Sequence, residues 1–154
     1  MIRKAIPNDA NSIHKVLLAA FEEYRNYYTS EGFDDTVMSE EAVIKRMKEM
    51  ILFVAIDERQ KIIGTIGWQK INSKEAHIRG MAVLPEMQGK NSPATALLEI
   101  VEKDARSEGC TLLTLDTTVV LERAQNFYKK QGFEKTGKTG NFFGSIIYEF
   151  AKEI

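Results

Sequence analysis

The segment that most restricts how this chain folds runs from Ala76 to Thr117. An apolar-rich run from about Ala76 to Leu84 has strand character and is closed by Pro85, which cannot donate to a sheet ladder. Ser92 and Pro93 then stand as cap and first position of a long helix. Its apolar positions Leu97, Ile100, Val101 and Ala105 share one stripe, and Gly109 stops it. Thr111 to Thr117, rich in Leu and Thr, reads as the next strand. Parallel neighbours cannot be joined by a tight turn, so a helix of crossover length between two strands predicts a parallel pair, a βαβ unit.

The remaining elements arrange themselves around that unit. Ile2, Lys4 and Ile6 alternate until Pro7 and suggest a short first strand, after which Asp9 is placed to cap a helix whose stripe is Ile13, Val16, Leu17, Ala20, Phe21 and Tyr24. His14 lies off the stripe and reads as a solvated helix histidine. From Tyr24 to Asp35 periodicity dissolves, before Ser39 opens a second helix with Val43, Ile44, Met47 and Ile51 on its apolar side. Leu52–Ile56 and Ile62–Lys70 form a hairpin over the polar turn Asp57–Lys61. Glu122–Gln131 is a short helix, and Phe133–Phe150 holds two short strands separated by a Gly137–Gly140 turn. The expected class is α/β in the broad sense (α+β): one domain over residues 1–154, with a mixed, mostly antiparallel sheet of six to seven strands flanked by about four helices.

Composition excludes several classes. With 154 residues and 44% hydrophobic content, the chain can bury a core without disulfides or metal. The 21 Lys and Arg are scattered among 22 Asp and Glu, so no basic footprint for nucleic acid exists. The longest apolar run, Met50–Ile56, falls far short of the roughly 20 residues of a membrane span. The N-terminal MIRKAIPNDA has no apolar signal core. The lone Cys110 cannot pair within the chain and reads as a small buried hydrophobe; no zinc spacing occurs. These features lead to an expectation of a soluble cytoplasmic protein without a metal site, and without nucleic-acid or membrane partners.

Two stretches carry more specific information. MAVLPEMQGKNSPATALLEIVEKDARSEG (Met81–Gly109) and AQNFYKKQGFEKTG (Ala124–Gly137) resemble, in order and spacing, the acyl-CoA-binding and helix-four motifs of the GNAT acetyltransferase superfamily. The element order resembles that family over essentially the whole chain. The resemblance implies the GNAT fold and transfer of an acetyl group from acetyl-CoA to a primary amine by direct attack in a ternary complex. A turn feeding a helix N-terminus offers unpaired N–H groups and a positive dipole end to a pyrophosphate. By resemblance the cofactor therefore lies on Gln88, Gly89, Lys90, Asn91, Ser92 and Ala94, its pantetheine arm pairs with the backbone of Met81, Ala82 and Val83, and Asn126 and Tyr128 flank it. The family's turn places Gly at the fourth position and Gly or Ala at the sixth; this chain has Asn91 and Pro93. Asn tolerates positive φ at small cost, whereas Pro93 removes one N–H donor.

Three catalytic roles follow from the resemblance. The N–H groups around Met81–Val83 are the oxyanion donors. Tyr128 matches the tyrosine that protonates the departing thiolate, with a half-buried packing tyrosine as the alternative. His77 stands where some members carry a catalytic glutamate, and its ordinary pKa of about 6.5 suits a general base; a solvent-facing strand histidine is the competing reading. Between Phe21 and Asp35, acids lie among aromatics, so Glu23, Tyr24, Tyr27 and Tyr28 are candidate contacts for a cationic small-molecule or peptide amine. A solvated loop fits the same residues equally well. A GNAT-fold domain that binds acyl-CoA or another ligand without catalysis is the alternative function, and a homodimer is permitted by exposed strand edges.

Overall fold

The computed structural model describes all residues from Met1 to Ile154. Its centre is one seven-stranded sheet: β1 (Ile2–Lys4), β2 (Ile51–Ile56), β3 (Ile62–Lys70), β4 (Glu75–Val83), β5 (Leu112–Thr118), β6 (Glu134–Phe142) and β7 (Ser145–Glu153). The spatial order is β1-β2-β3-β4-β5-β7-β6, and only β4 and β5 run parallel. The sheet is flanked by five α-helices: α1 (Ala10–Phe21), α2 (Ser30–Thr36), α3 (Glu40–Glu49), α4 (Ala94–Ser107) and α5 (Glu122–Lys130).

The helices sort to the two faces by strand alternation. A Cβ on Gly64 would lie 3.0 Å from Leu97 Cδ1, and Trp68 Nε1–H donates to Asp104 Oδ2 at 3.0 Å, so α4 covers the face toward which residues 64 and 68 point. α1 packs on β3 and β4 from the other face. Trp68, Ile66, Leu97, Val101 and Leu113 are fully buried between β-sheet and α4, as are Ile13, Val16 and Leu17 under α1.

Several local expectations change. Tyr24–Asp35 is not irregular: a 3₁₀ segment Glu22–Tyr27 leads into α2, where Thr29 Oγ1 accepts the Gly32 N–H at 3.1 Å and caps the helix. With Gly32 and Phe33 its only buried residues, α2 is too short to show a stripe. Asp9 does not cap α1 with its side chain; its carboxylate turns back to the Ile6 N–H (2.8 Å) and to Arg3. His14 is half-buried, its Nδ1 2.7 Å from the Met38 carbonyl. Ser39 caps α3 as expected, accepting from Ala42 N–H at 3.2 Å.

The C-terminal hairpin reverses elsewhere than the glycine pattern predicts. Gly137–Gly140 lies inside β6, where a register shift between Lys135 and Thr139 marks a bulge. The chain turns at Phe143 (φ 49°) and Gly144 (φ 93°), two successive positive φ values as a type I′ turn requires, with Asn141 Oδ1 accepting the Gly144 N–H at 2.7 Å. Both strands are nine residues long instead of short.

One irregularity shapes the site. Opposite Thr65–Gly67 of β3, β4 carries an extra residue, so that Gly80 and Met81 together face Ile66. Gly80 has φ +67°, the left-handed region that glycine enters freely, and this bulge turns β4 away from its parallel neighbour. The β4–β5 ladder stops at Ile78↔Leu115. Beyond it Arg79–Val83 and Asp116–Thr118 diverge, leaving a wedge between two strands.

Candidate active site

The wedge opens into a cleft of ≈ 990 Å³. Leu84 N–H donates to Ile63 O across the β3 edge, so alternation turns the N–H and C=O of Val83, and the N–H of Met81, to the wedge side. The Val83 carbonyl accepts from Gln88 Nε2 at 3.1 Å, which folds the first turn residue back against the strand. The Met81 and Val83 N–H groups are thus main-chain donors on an edge without a partner strand.

At the far end of β4 the turn 88–94 leads into α4. Asn91 takes φ +67° and Gly89 φ +91°, so asparagine does adopt the left-handed backbone that a glycine would otherwise supply. Pro93 sits at the helix cap without an N–H, and the Ala94 N–H is engaged by Ser92 Oγ at 3.2 Å. Regular α4 therefore begins one residue later than the Ser-Pro pattern implies. Gln88, Gly89, Asn91, Ser92 and Ala94 line the cleft, whereas Lys90 is exposed and lies outside it.

Tyr128 is buried on α5, 9% exposed, between Phe127, Phe133 and Phe150. Its hydroxyl reaches through to the wedge and lies 3.5 Å from Met81 Sδ, a weak acceptor. Burial pushes the phenol well above its ordinary range, so it stays protonated and acts as a hydrogen-bond donor. Asn126 lies exposed on the cleft wall. Leu121 stands at the cap of α5 with no side-chain hydrogen bond. The Thr117 hydroxyl, also in the cleft wall, is buried with no hydrogen-bond partner. An orphaned buried hydroxyl costs about 1–3 kcal/mol.

His77 is not a free strand histidine. Its Nδ1 lies 2.8 Å from Thr114 Oγ1, and Thr114 Oγ1 gives its one proton to Glu75 Oε2 at 2.8 Å. The imidazole must therefore donate from Nδ1, which leaves the Nε2 lone pair as the basic site of the neutral ring. Nε2 is 3.5 Å from Asp116 Oδ2, and the histidine side chain is 18% exposed at the cleft. Burial raises the Asp116 carboxyl pKa against the opposing pull of His77. The sequence reading missed Asp116, Thr114 and Glu75; strand alternation aligns Asp116 with Thr114, but the β4–β5 register that sets both beside His77 has no local signal.

The acceptor side mixes expected and unexpected residues. Glu23, Tyr24 and Tyr28 line the cleft. Tyr28 Oη lies 3.2 Å from Thr118 Oγ1, bridging α2's approach to β5, and burial raises both tyrosine pKa values. Tyr27 is 61% exposed and outside the cleft, because the 3₁₀ segment carries it to the β6–β7 turn, where its carbonyl accepts from Ser145 Oγ at 3.4 Å. Arg46 of α3 and Arg79 of β4 are cleft residues that sequence reasoning did not single out. No group of three or more His, Cys, Asp or Glu side chains is arranged to hold a metal, and no helix is long and apolar enough to cross a membrane.

A seven-stranded mixed sheet opened between its parallel strands, with main-chain donors on one wall and a helix-entry turn at its end, defines a class. The acetyltransferase (GNAT) family model matches residues 13–133, and the chain belongs to that family. Solved structures agree in fold. PaiA N-acetyltransferase from Thermoplasma acidophilum in complex with coenzyme A superposes with a TM-score of 0.83 at 21% identity, over 100% of this chain and 98% of that one. A ribosomal-protein-alanine N-acetyltransferase from Brucella melitensis gives 0.77 at 17% identity, over 100% and 99%. An aminoglycoside 6'-N-acetyltransferase complexed with coenzyme A gives 0.72 at 18% identity, over 99% and 96%. No curated protein matches the chain in sequence.

Proposed function

We propose that this chain transfers an acetyl group from acetyl-CoA to a primary amine, by direct attack of the amine on the thioester in a ternary complex. The observation that carries the reading is the convergence on one wedge of the Met81 and Val83 N–H edge, the Tyr128 hydroxyl and the Nε2 of His77. Residues of the turn 88–94 hold the pyrophosphate, and the β4 edge pairs with the pantetheine arm as an added strand. The orphaned Thr117 hydroxyl and the free β4 edge fit a polar, extended ligand in the wedge.

The residues divide the work as follows. The amine nitrogen forms a bond to the thioester carbon while the carbonyl oxygen takes the electron pair, and the Met81–Val83 N–H edge donates to that oxyanion, a role worth about 2.7–4 kcal/mol. His77 Nε2 accepts the amine proton, and Asp116 stabilises the resulting imidazolium. The C–S bond then breaks, and Tyr128 Oη–H donates to the leaving sulfur. With its phenol pKa raised by burial, Tyr128 stabilises the thiolate as a hydrogen-bond donor, and the sulfur's proton derives from the amine.

A second reading, a GNAT-fold domain that binds acyl-CoA or another ligand without chemistry, is favoured by the missing Pro93 N–H and the occupied Ala94 N–H, which leave the turn fewer free phosphate donors. Calorimetric titration with acetyl-CoA, followed by a thiol-release assay across an amine panel, decides between them. Saturable binding with amine-dependent thiol release supports transfer. Binding without release supports the second reading, and no heat at millimolar acetyl-CoA refutes transfer and any binding of this cofactor.

A further inference from the structure

Two acids of the Phe21–Asp35 segment, read from sequence as a receptor for cations, are answered by arginine. Glu22 pairs with Arg25 at 2.7 Å, and Asp35 pairs with Arg79 at 3.5 Å. Glu23 lines the cleft without an ion pair, and so does a guanidinium. Arg46 reaches from α3 into the cleft and belongs to none of the chain's ion pairs. A methyl group built on Gly80 would stand 3.3 Å from Arg46 Nη1, so the guanidinium lies over the bulge, one residue from Met81. Burial and the neighbouring Arg79 charge both disfavour its charged form, opposed only by Asp35 and Glu49. Asp35 is thus the one cleft-lining carboxylate that pairs with either guanidinium, and it pairs with Arg79 alone, an arrangement that an anionic ligand group completes.

Resting on the transferase reading, we propose that Arg46 and Arg79 form an oxyanion-group subsite, so that the acceptor is a zwitterion: an amine carrying a carboxylate or phosphonate a few bonds away. The amino group faces His77 and Asp116, and the anionic group faces Arg46. Charge explains the division of labour. Asp116 lies 3.5 Å from His77 Nε2 and makes no pair with Arg or Lys, which suits an incoming ammonium; Arg46 repels the second cation of a polyamine. A planar guanidinium presents a fork of donors that matches a carboxylate or phosphonate in a way an amide cannot. The turn 88–94 lies past the end of β4, so the cofactor's phosphates and this subsite occupy different ends of the cleft.

The test compares free amino acids of varied side chain, and an aminoalkylphosphonate, with the corresponding amino acid amides and with spermidine, by thiol release from acetyl-CoA. The expected result is a kcat/KM at least tenfold higher for one or more anionic acceptors than for the matching amide. In Arg46→Gln that ratio falls to within about threefold, chiefly through KM, and Arg79→Gln shifts it the same way. The ratio is taken within each variant, so a loss of folded protein cancels. Acetyl-CoA affinity stays within twofold in Arg46→Gln. Amides or spermidine turned over as well as the anionic acceptors, or a ratio unchanged in Arg46→Gln, overturns the proposal. So does a tenfold loss of acetyl-CoA affinity, which assigns Arg46 to the cofactor. If no amine releases thiol, catalysis fails, and calorimetry of the same acceptors on the CoA-loaded protein reads the subsite alone: anion-selective binding lost in Arg46→Gln upholds it, and equal or absent binding refutes it.

Discussion

Tyr128 shows how burial changes what a side chain can do. An exposed phenol near its ordinary pKa of about 10 can give up its proton; one enclosed by Phe127, Phe133 and Phe150 keeps it and donates a hydrogen bond instead. Removing a hydrogen bond to a charged group costs about 1.5–3 kcal/mol, so Tyr128→Phe lowers kcat about ten- to hundredfold with acetyl-CoA affinity unchanged. Turnover near wild type removes Tyr128 from the mechanism. At the opposite end of the chain, Asp9 is held by Arg3 through bonds of 2.7 and 3.0 Å and by the Ile6 N–H, and these hold its carboxyl below the usual range. A depressed carboxylate contributes stability above its unfolded pKa of about 3.9, lost as pH falls through the folded value. Asp9→Asn therefore destabilises by about 1–3 kcal/mol at pH 7, and urea melts at pH 3 show that gap shrinking. An equal gap at both pH values rules out the ion pair as its source.

Elements differ in how openly their sequence announces them. The turn that closes β6 on β7 rests on Phe143 and Gly144, and Gly144→Ala places a side chain at φ +93°, a cost of about 1–2 kcal/mol measurable by urea denaturation. Little or no loss would mean the hairpin reverses by another route. Glycine content pointed to Gly137–Gly140, but the same residue type serves bulges and turns, and only the β6–β7 register decides which. The start of α4 has a functional counterpart. Pro93→Ala restores an N–H to the helix entrance and strengthens acetyl-CoA binding by up to about tenfold, read by calorimetry; an unchanged Kd shows that this position does not face the phosphates.

At the scale of the whole molecule the wedge between β4 and β5 is a sheet left unfinished, with main-chain donors that a ligand can pair. A ligand that binds only the folded state adds about 2.7 kcal/mol at a hundred times its Kd, and for a chain of this size acetyl-CoA then raises Tm by roughly 5–10 °C in a circular-dichroism melt. No shift at saturation contradicts a wedge-bound cofactor. The order of elements was legible in the sequence, because helix stripes, the Ser39 cap and the Pro85 stop are local signals that survive without tertiary context. The βαβ crossover likewise forced β4 and β5 to be parallel. Which side chains meet was not legible, since periodicity reports the buried face of a strand and says nothing of its partner's register. Pairing of His77 with Thr114 and Asp116, the bulge that sets Gly80 against Ile66, and the arrival of Arg46 over Gly80 each join residues distant in the chain. The sequence by itself determined a GNAT-like scaffold with a turn at the entrance to its long central helix. The tertiary structure alone decided the tautomer of His77 and which charged groups line the cleft, because both depend on contacts made across strands and between layers.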